Sequence, residues 1–171
     1  MSEDIRIQTA APNRSPIVIE RTYRASLEEL WELWTTKESF ESWWGPEGFR
    51  VEVHAIETRV NGKLHYDMIA DAAEMIEAMK QMGRPTSTET RARFSEFKPY
   101  ERLALSHVMD FLPGVKPYEH TILVEFFPLG DWVRMVTTVQ PMHNDEFTRI
   151  SVDGFKSQLK KLDRRFPIQQ Q

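Results

Sequence analysis

With 171 residues, 40% of them hydrophobic, a formal net charge of -4 and no cysteine, the chain can build one sizeable core but no disulfide, thiolate metal site or cysteine nucleophile. An acidic balance without a basic run argues against nucleic acid or an anionic membrane surface as the partner. No stretch approaches the ~18 consecutive apolar residues of a membrane span, and 1–16 lacks the apolar centre of a signal peptide, so no membrane insertion and a cytoplasmic location are expected.

Residues 1–15 are polar and aperiodic, an expected extended or disordered lead-in to a single domain over 16–171. Ile17 to Tyr23 alternates branched and polar residues and reads as a half-buried strand. Ser26, followed three residues later by Glu29, is a capping box, so a helix should begin at Leu27 and carry Leu27, Leu30, Trp31 and Trp34 on one face. A second short turn bears Phe40, Trp43 and Trp44 before Gly45-Pro46 stops it. Four of the five tryptophans fall in this passage.

Three strands are expected next: Phe49 to Glu57, Lys63 to Met68, and Arg91 to Lys98. Asn61-Gly62, between the first two, suits a type I′ hairpin turn. Parity sends Val51, Val53 and Ala55 inward together with Leu64, Tyr66 and Met68. From Asp71 to Pro85 the period changes from two to nearly four, which predicts an inserted helix near 71–83, capped by Asp71 with Glu74 and stopped by Gly83 and Pro85. Thr86 to Thr90 reads as a polar connector. The stripe of Met75, Ile76, Met79 and Met82 suits plain packing, a lid over a pocket or a homodimer surface.

The turn Pro99-Tyr100-Glu101 leads into a strand over Leu103 to Val108, and Phe111 to Tyr118 is a loop. Thr121 to Phe127 and Trp132 to Val139 form a second hairpin across Pro128-Leu129-Gly130-Asp131. A long helix begins at Asn144 or Asp145, striped by Phe147, Ile150, Phe155, Leu159 and Leu162, with Lys160, Lys161, Arg164 and Arg165 near its end. The result is an α+β architecture in which a curved antiparallel sheet wraps the last helix, leaving room for a cavity between them.

These residues resemble a known family. Arg21-Thr22-Tyr23 with Ala25, Leu30-Trp31, Thr35 and Trp43-Trp44-Gly45-Pro46 are similar to the opening signature of activator of heat-shock protein 90 ATPase homologue-type domains, in the START-like (SRPBCC; polyketide cyclase and lipid-transport) superfamily. Pro99 with Glu101-Arg102-Leu103 matches that family's turn, and Gly154-Phe155 with Leu159 and Leu162 matches its last helix. Asn61 stands where the family has a glycine and Phe155 where it has a tryptophan. The resemblance spans about 17–166 and is interrupted by the insertion over 71–90. It implies a helix-grip fold with an apolar cavity between sheet and C-terminal helix.

Direct chemical signatures are few. There is no nucleophile elbow, phosphate loop, dinucleotide fingerprint or HExxH zinc motif, and no cofactor is expected. His54 and His65 fall on the outer side of their strands, with no third metal ligand at a recognisable spacing. His107 shares parity with Leu103 and Leu105 and should point inward, as a hydrogen-bonded core residue or as a ligand or proton-transfer group. Arg21 and Glu125 are the other polar residues assigned inward by parity: Arg21 as a structural ion pair or a polar orienting group, Glu125 as an acid/base partner for His107. The expected lining is Trp34, Trp43, Trp44, Tyr66, Met68, Phe94, His107 and Phe111, with Met75 and Met79 as lid. The reading is a binder of a small hydrophobic or amphipathic molecule; the alternatives are a cyclase- or hydrolase-type enzyme and a co-chaperone-like interaction module.

Overall fold

The computed structural model describes residues 15–169; the lead-in expected over 1–15 falls outside them except for Ser15. Seven strands, β1 (Ile17–Tyr23), β2 (Phe49–Ile56), β3 (Lys63–Ala70), β4 (Ser87–Lys98), β5 (Arg102–Met109), β6 (Tyr118–Leu129) and β7 (Trp132–Val139), form one antiparallel sheet in the order β1-β7-β6-β5-β4-β3-β2. Among the described residues four helices accompany it: α1 (Leu27–Thr35), α2 (Lys37–Glu41), α3 (Ala73–Gln81) and α4 (Asp145–Arg165). Helix α4 presses Val152, Phe155, Leu159 and Leu162 into the concave face, where they join Leu103, Leu105 and Val124 in one core. This is the expected helix-grip arrangement.

Local chemistry explains the element ends. The capping box forms as the spacing predicts: the Glu29 amide donates to Ser26 Oγ at 3.1 Å and the Ser26 amide to Glu29 Oε1 at 3.0 Å. Helix α4 is capped by Asn144, whose Oδ1 accepts from the Phe147 amide at 2.8 Å. Trp31 is core, edge-on to Phe97 and Phe126. Edge strand β2 is protected where Glu41 Oε2 accepts from the Val53 amide at 2.8 Å.

Several expectations are corrected. A bulge between Val53 and Ala55 shifts the β2 register, so Ala55 pairs with His65 while Ile56 takes the inward place opposite Leu64. The β2–β3 connection is not a two-residue turn. It spans 57–62, with Asn61 at φ 65°, and needs Gly62 because a Cβ there would stand 1.9 Å from the Glu57 carbonyl oxygen. Helix α3 is capped by Ala72 without a side-chain bond; Asp71 instead faces Arg50 at 3.6 Å. It sits within the tip of a longer hairpin, because β3 and β4 stay paired out to Ile69 and Ser87, inside the stretch read as connector. None of its residues is fully buried.

Candidate ligand-binding cavity

Between α4 and strands β4–β6 lies a cavity of about 350 Å³. Its walls are mainly apolar, from Ile122, Met142, Phe147, Ile150 and Phe155, with Trp44 on one side. Phe111 and Ile150, exposed by 63% and 51%, stand at its mouth, beside the ion pair of Arg91 with Asp110. The size falls at the low end of the roughly 300–1,000 Å³ usual for small-molecule pockets.

The Trp44 wall is held by the last helix. In the turn after α2, the Gly45 amide donates to Gln158 Oε1 and the Glu47 amide to Ser157 Oγ, both at 2.9 Å. Lys161 Nζ donates to the Phe49 carbonyl at 3.1 Å, and Arg164 pairs with Glu47 at 2.7 Å. Four side chains along α4, those of Ser157, Gln158, Lys161 and Arg164, thus fix residues 45–49 against it. Gly45, at φ 100°, adopts a backbone conformation open chiefly to glycine.

Polar groups at the base have assigned roles. Trp44 Nε1 can only donate, and it reaches the Tyr66 hydroxyl oxygen at 3.0 Å. The Tyr66 hydroxyl also meets His107 Nε2, 3.1 Å away, and the Thr90 side chain. Burial pushes His107 down to about 3, with His120 adding to the effect, so the ring is neutral. Directly opposite His107 in the ladder, His120 donates from Nε2 to the Gln140 carbonyl at 2.6 Å. Burial also lowers the His120 pKa, leaving Nδ1 as a lone-pair acceptor. Because the Gly45 amide must meet an oxygen, the Gln158 carboxamide is oriented, and its Nε2 is buried without a hydrogen-bond partner among the described residues.

Of the expected lining, Trp44, His107 and Phe111 border this cavity. Tyr66 stands one layer behind, acting through His107. Trp34 and Trp43 are fully buried behind Trp44, at ring distances of 5.4 and 5.2 Å from it. Phe94 packs in the core against Phe97. Met68 lies beneath Gly45 and Met75 beside Gly48, away from the cavity, and Met79 does not border it.

Arg21 is not an orienting group: it binds Asp163 on α4 at 3.2 Å, and the same carboxylate accepts the buried Tyr23 hydroxyl at 2.6 Å. Glu125 is on the outer face, 3.5 Å from Arg102, because Ile122, Val124 and Phe126 take the inward parity of β6. It cannot act with His107. His54 is likewise outside, 2.9 Å from Asp67.

Sequence reasoning missed His120 and Gln158. The first lay just before the strand start assigned at Thr121, though it shares parity with Ile122 and Val124. Gln158 was legible as the one polar member of the inward α4 stripe, three residues after Phe155 and four before Leu162.

The description "Activator of Hsp90 ATPase homolog 1-like protein" matches residues 24–166. The chain belongs to that family. The fold is shared with a Chromobacterium violaceum protein at TM-score 0.65 and 21% identity, covering 86% of this chain and 94% of that one. It is likewise similar to the AHSA1 protein of Silicibacter pomeroyi, at TM-score 0.68 and 18% identity, over 88% of this chain and 96% of that one. Among curated proteins, none matches the sequence. Among the described residues no helix is long and apolar enough to cross a membrane.

Proposed function

We propose that this domain binds a small, largely apolar molecule in the cavity between α4 and β4–β6. The observation that carries the reading is an apolar space of about 350 Å³ between sheet and helix, walled by Ile122, Met142, Phe147, Ile150 and Phe155 and bordered by the imidazoles of His107 and His120. The enzyme reading through His107 and Glu125 loses its acid to the outer face. A co-chaperone-like module would call for a closed core beneath an exposed apolar patch, whereas here the apolar surface is concave and opens at Phe111 and Ile150.

The test uses Gly154, which lines the cavity and where a Cβ would meet nothing within 4 Å. Gly154→Leu should fold at least as stably, since glycine is a poor helix former by about 1 kcal/mol, while its side chain fills the space. Native mass spectrometry of protein purified from cells should find a small apolar molecule retained by the unaltered chain and absent from the variant. An unaltered chain that neither carries nor takes up such a molecule overturns the proposal.

A further inference from the structure

Gly154 bears on which apolar molecules the cavity takes; this step rests on the binding reading above. Of the seven glycines in the chain, five take positive φ and Gly62 is enforced by the nearby Glu57 carbonyl. Gly154 has neither constraint. It sits in the interior of α4, and a Cβ built on it would meet nothing within 4 Å. No neighbouring element approaches closely enough to need bare helix backbone there, and alanine would suit the helix better.

What lies in front of Gly154 is the cavity. Helix α4 lines that space with Phe147, Ile150, Ser151, Gly154, Phe155 and Gln158, the i, i+3, i+4, i+7, i+8 and i+11 spacing of one helical stripe. Gly154 falls inside the stripe, between Ser151 and Gln158, so a side chain at this position would project into the same space. We infer that Gly154 is a specificity-determining position: its bare backbone gives the cavity the width to seat a fused-ring skeleton, and any side chain there narrows it. Aromatic rings border the same space, Phe147 and Phe155 from α4 and Trp44 from the turn after α2, and suit a ring-bearing ligand. An unbranched alkyl chain is narrow and flexible and needs no such width.

Two neutral alcohols, 2-naphthol and 1-octanol, share a head group and differ in width. Calorimetric titration of the full chain with each, for the unaltered protein, Gly154→Ala and Gly154→Val, tests the assignment. The unaltered protein should bind both. Affinity for 2-naphthol should fall in Gly154→Ala and by on the order of tenfold or more in Gly154→Val, the scale on which a pocket responds to one or two misplaced carbons. 1-Octanol, which can bend around the added side chain, should keep its affinity. Gly154→Ala should also raise the thermal midpoint by about 2–4 °C, as replacing an unconstrained helical glycine does. A lowered midpoint would mean that the fold itself needs the glycine, and overturns the inference. So does a parallel loss of both alcohols, no loss of either, or an unaltered protein that takes 1-octanol alone; each of these leaves the cavity reading intact. If the unaltered protein binds neither, both readings fall.

Discussion

Tyr66 and His107 share one buried hydrogen bond, 3.1 Å long, between the phenol oxygen and imidazole Nε2. Tyr66→Phe removes it and also strands the Trp44 indole N–H, which donates to the same oxygen. The expected cost is about 1–3 kcal/mol, read as a lowered urea midpoint with an unchanged slope. Nitrogen-resolved NMR of the unaltered protein should find His107 protonated at Nδ1 alone. A proton on Nε2 would mean that His107 donates to Tyr66 and that the phenol proton goes to Thr90.

Acid should weaken the fold through the two cavity histidines. His107 is held down to about 3 in the folded state, against an ordinary value near 6.5, and His120 is lowered as well. The unfolded chain therefore binds more protons than the folded one between about pH 6.5 and 3, so stability falls as pH drops through that window. The slope is up to about 1.4 kcal/mol per pH unit for each such residue. His107→Phe should flatten the dependence of urea stability on pH between 6.5 and 4. A curve as steep as that of the unaltered protein would assign the acid sensitivity elsewhere.

Asp163 serves two strand residues at once, accepting from Arg21 and from the Tyr23 hydroxyl. Burial, and after it the carboxylate, push the Tyr23 hydroxyl's pKa well above its ordinary value. Asp163→Ala leaves that fully buried hydroxyl without a partner and should destabilise the fold by about 1–3 kcal/mol. Because Asp163 does not border the cavity, binding of small apolar probes by the folded variant should be unchanged. A lost affinity in calorimetry at equal folded fraction would contradict this separation.

Gly62 is a space requirement. A methyl group would stand 1.9 Å from the Glu57 carbonyl oxygen and 2.9 Å from that of Arg59, both backbone atoms that cannot swing aside. Gly62→Ala should cost about 3 kcal/mol or more, and Asn61→Gly, at φ 65°, far less. Thermal unfolding of the two variants gives the ranking; equal midpoints would mean that the turn rearranges freely.

The overall fold was readable because periodicity and caps agreed: Ser26 with Glu29, Asn144, and the alternation of β6 and β7 are local signals with local outcomes. The errors came where the signal was not local. Ala55 changed sides because a bulge intervenes, and nothing in Val51-Glu52-Val53 announces it. Glu125 was misplaced because Leu123 and Phe127 are as apolar as Ile122 and Phe126, so parity alone did not choose a face. Trp34 and Trp43 were counted as lining because aromatic content does not distinguish a wall from what stands behind it. Gln158 gained its role from an amide far away in sequence, that of Gly45.

The strand order has a consequence for how the chain folds. Strands β2 to β7 are each hydrogen-bonded to their neighbour in sequence, so they can zip as successive hairpins. Strand β1 cannot: its partner is β7, with Ile17 opposite Val139, and the far end of β1 is bonded by the segment after α4, where the Gln169 amide donates to the Thr22 carbonyl. During synthesis the first strand therefore waits, unpaired, for nearly the whole polypeptide to appear. Closing that long loop is a late, slow step, and a chain ending before β7 would leave an apolar strand seeking other edges.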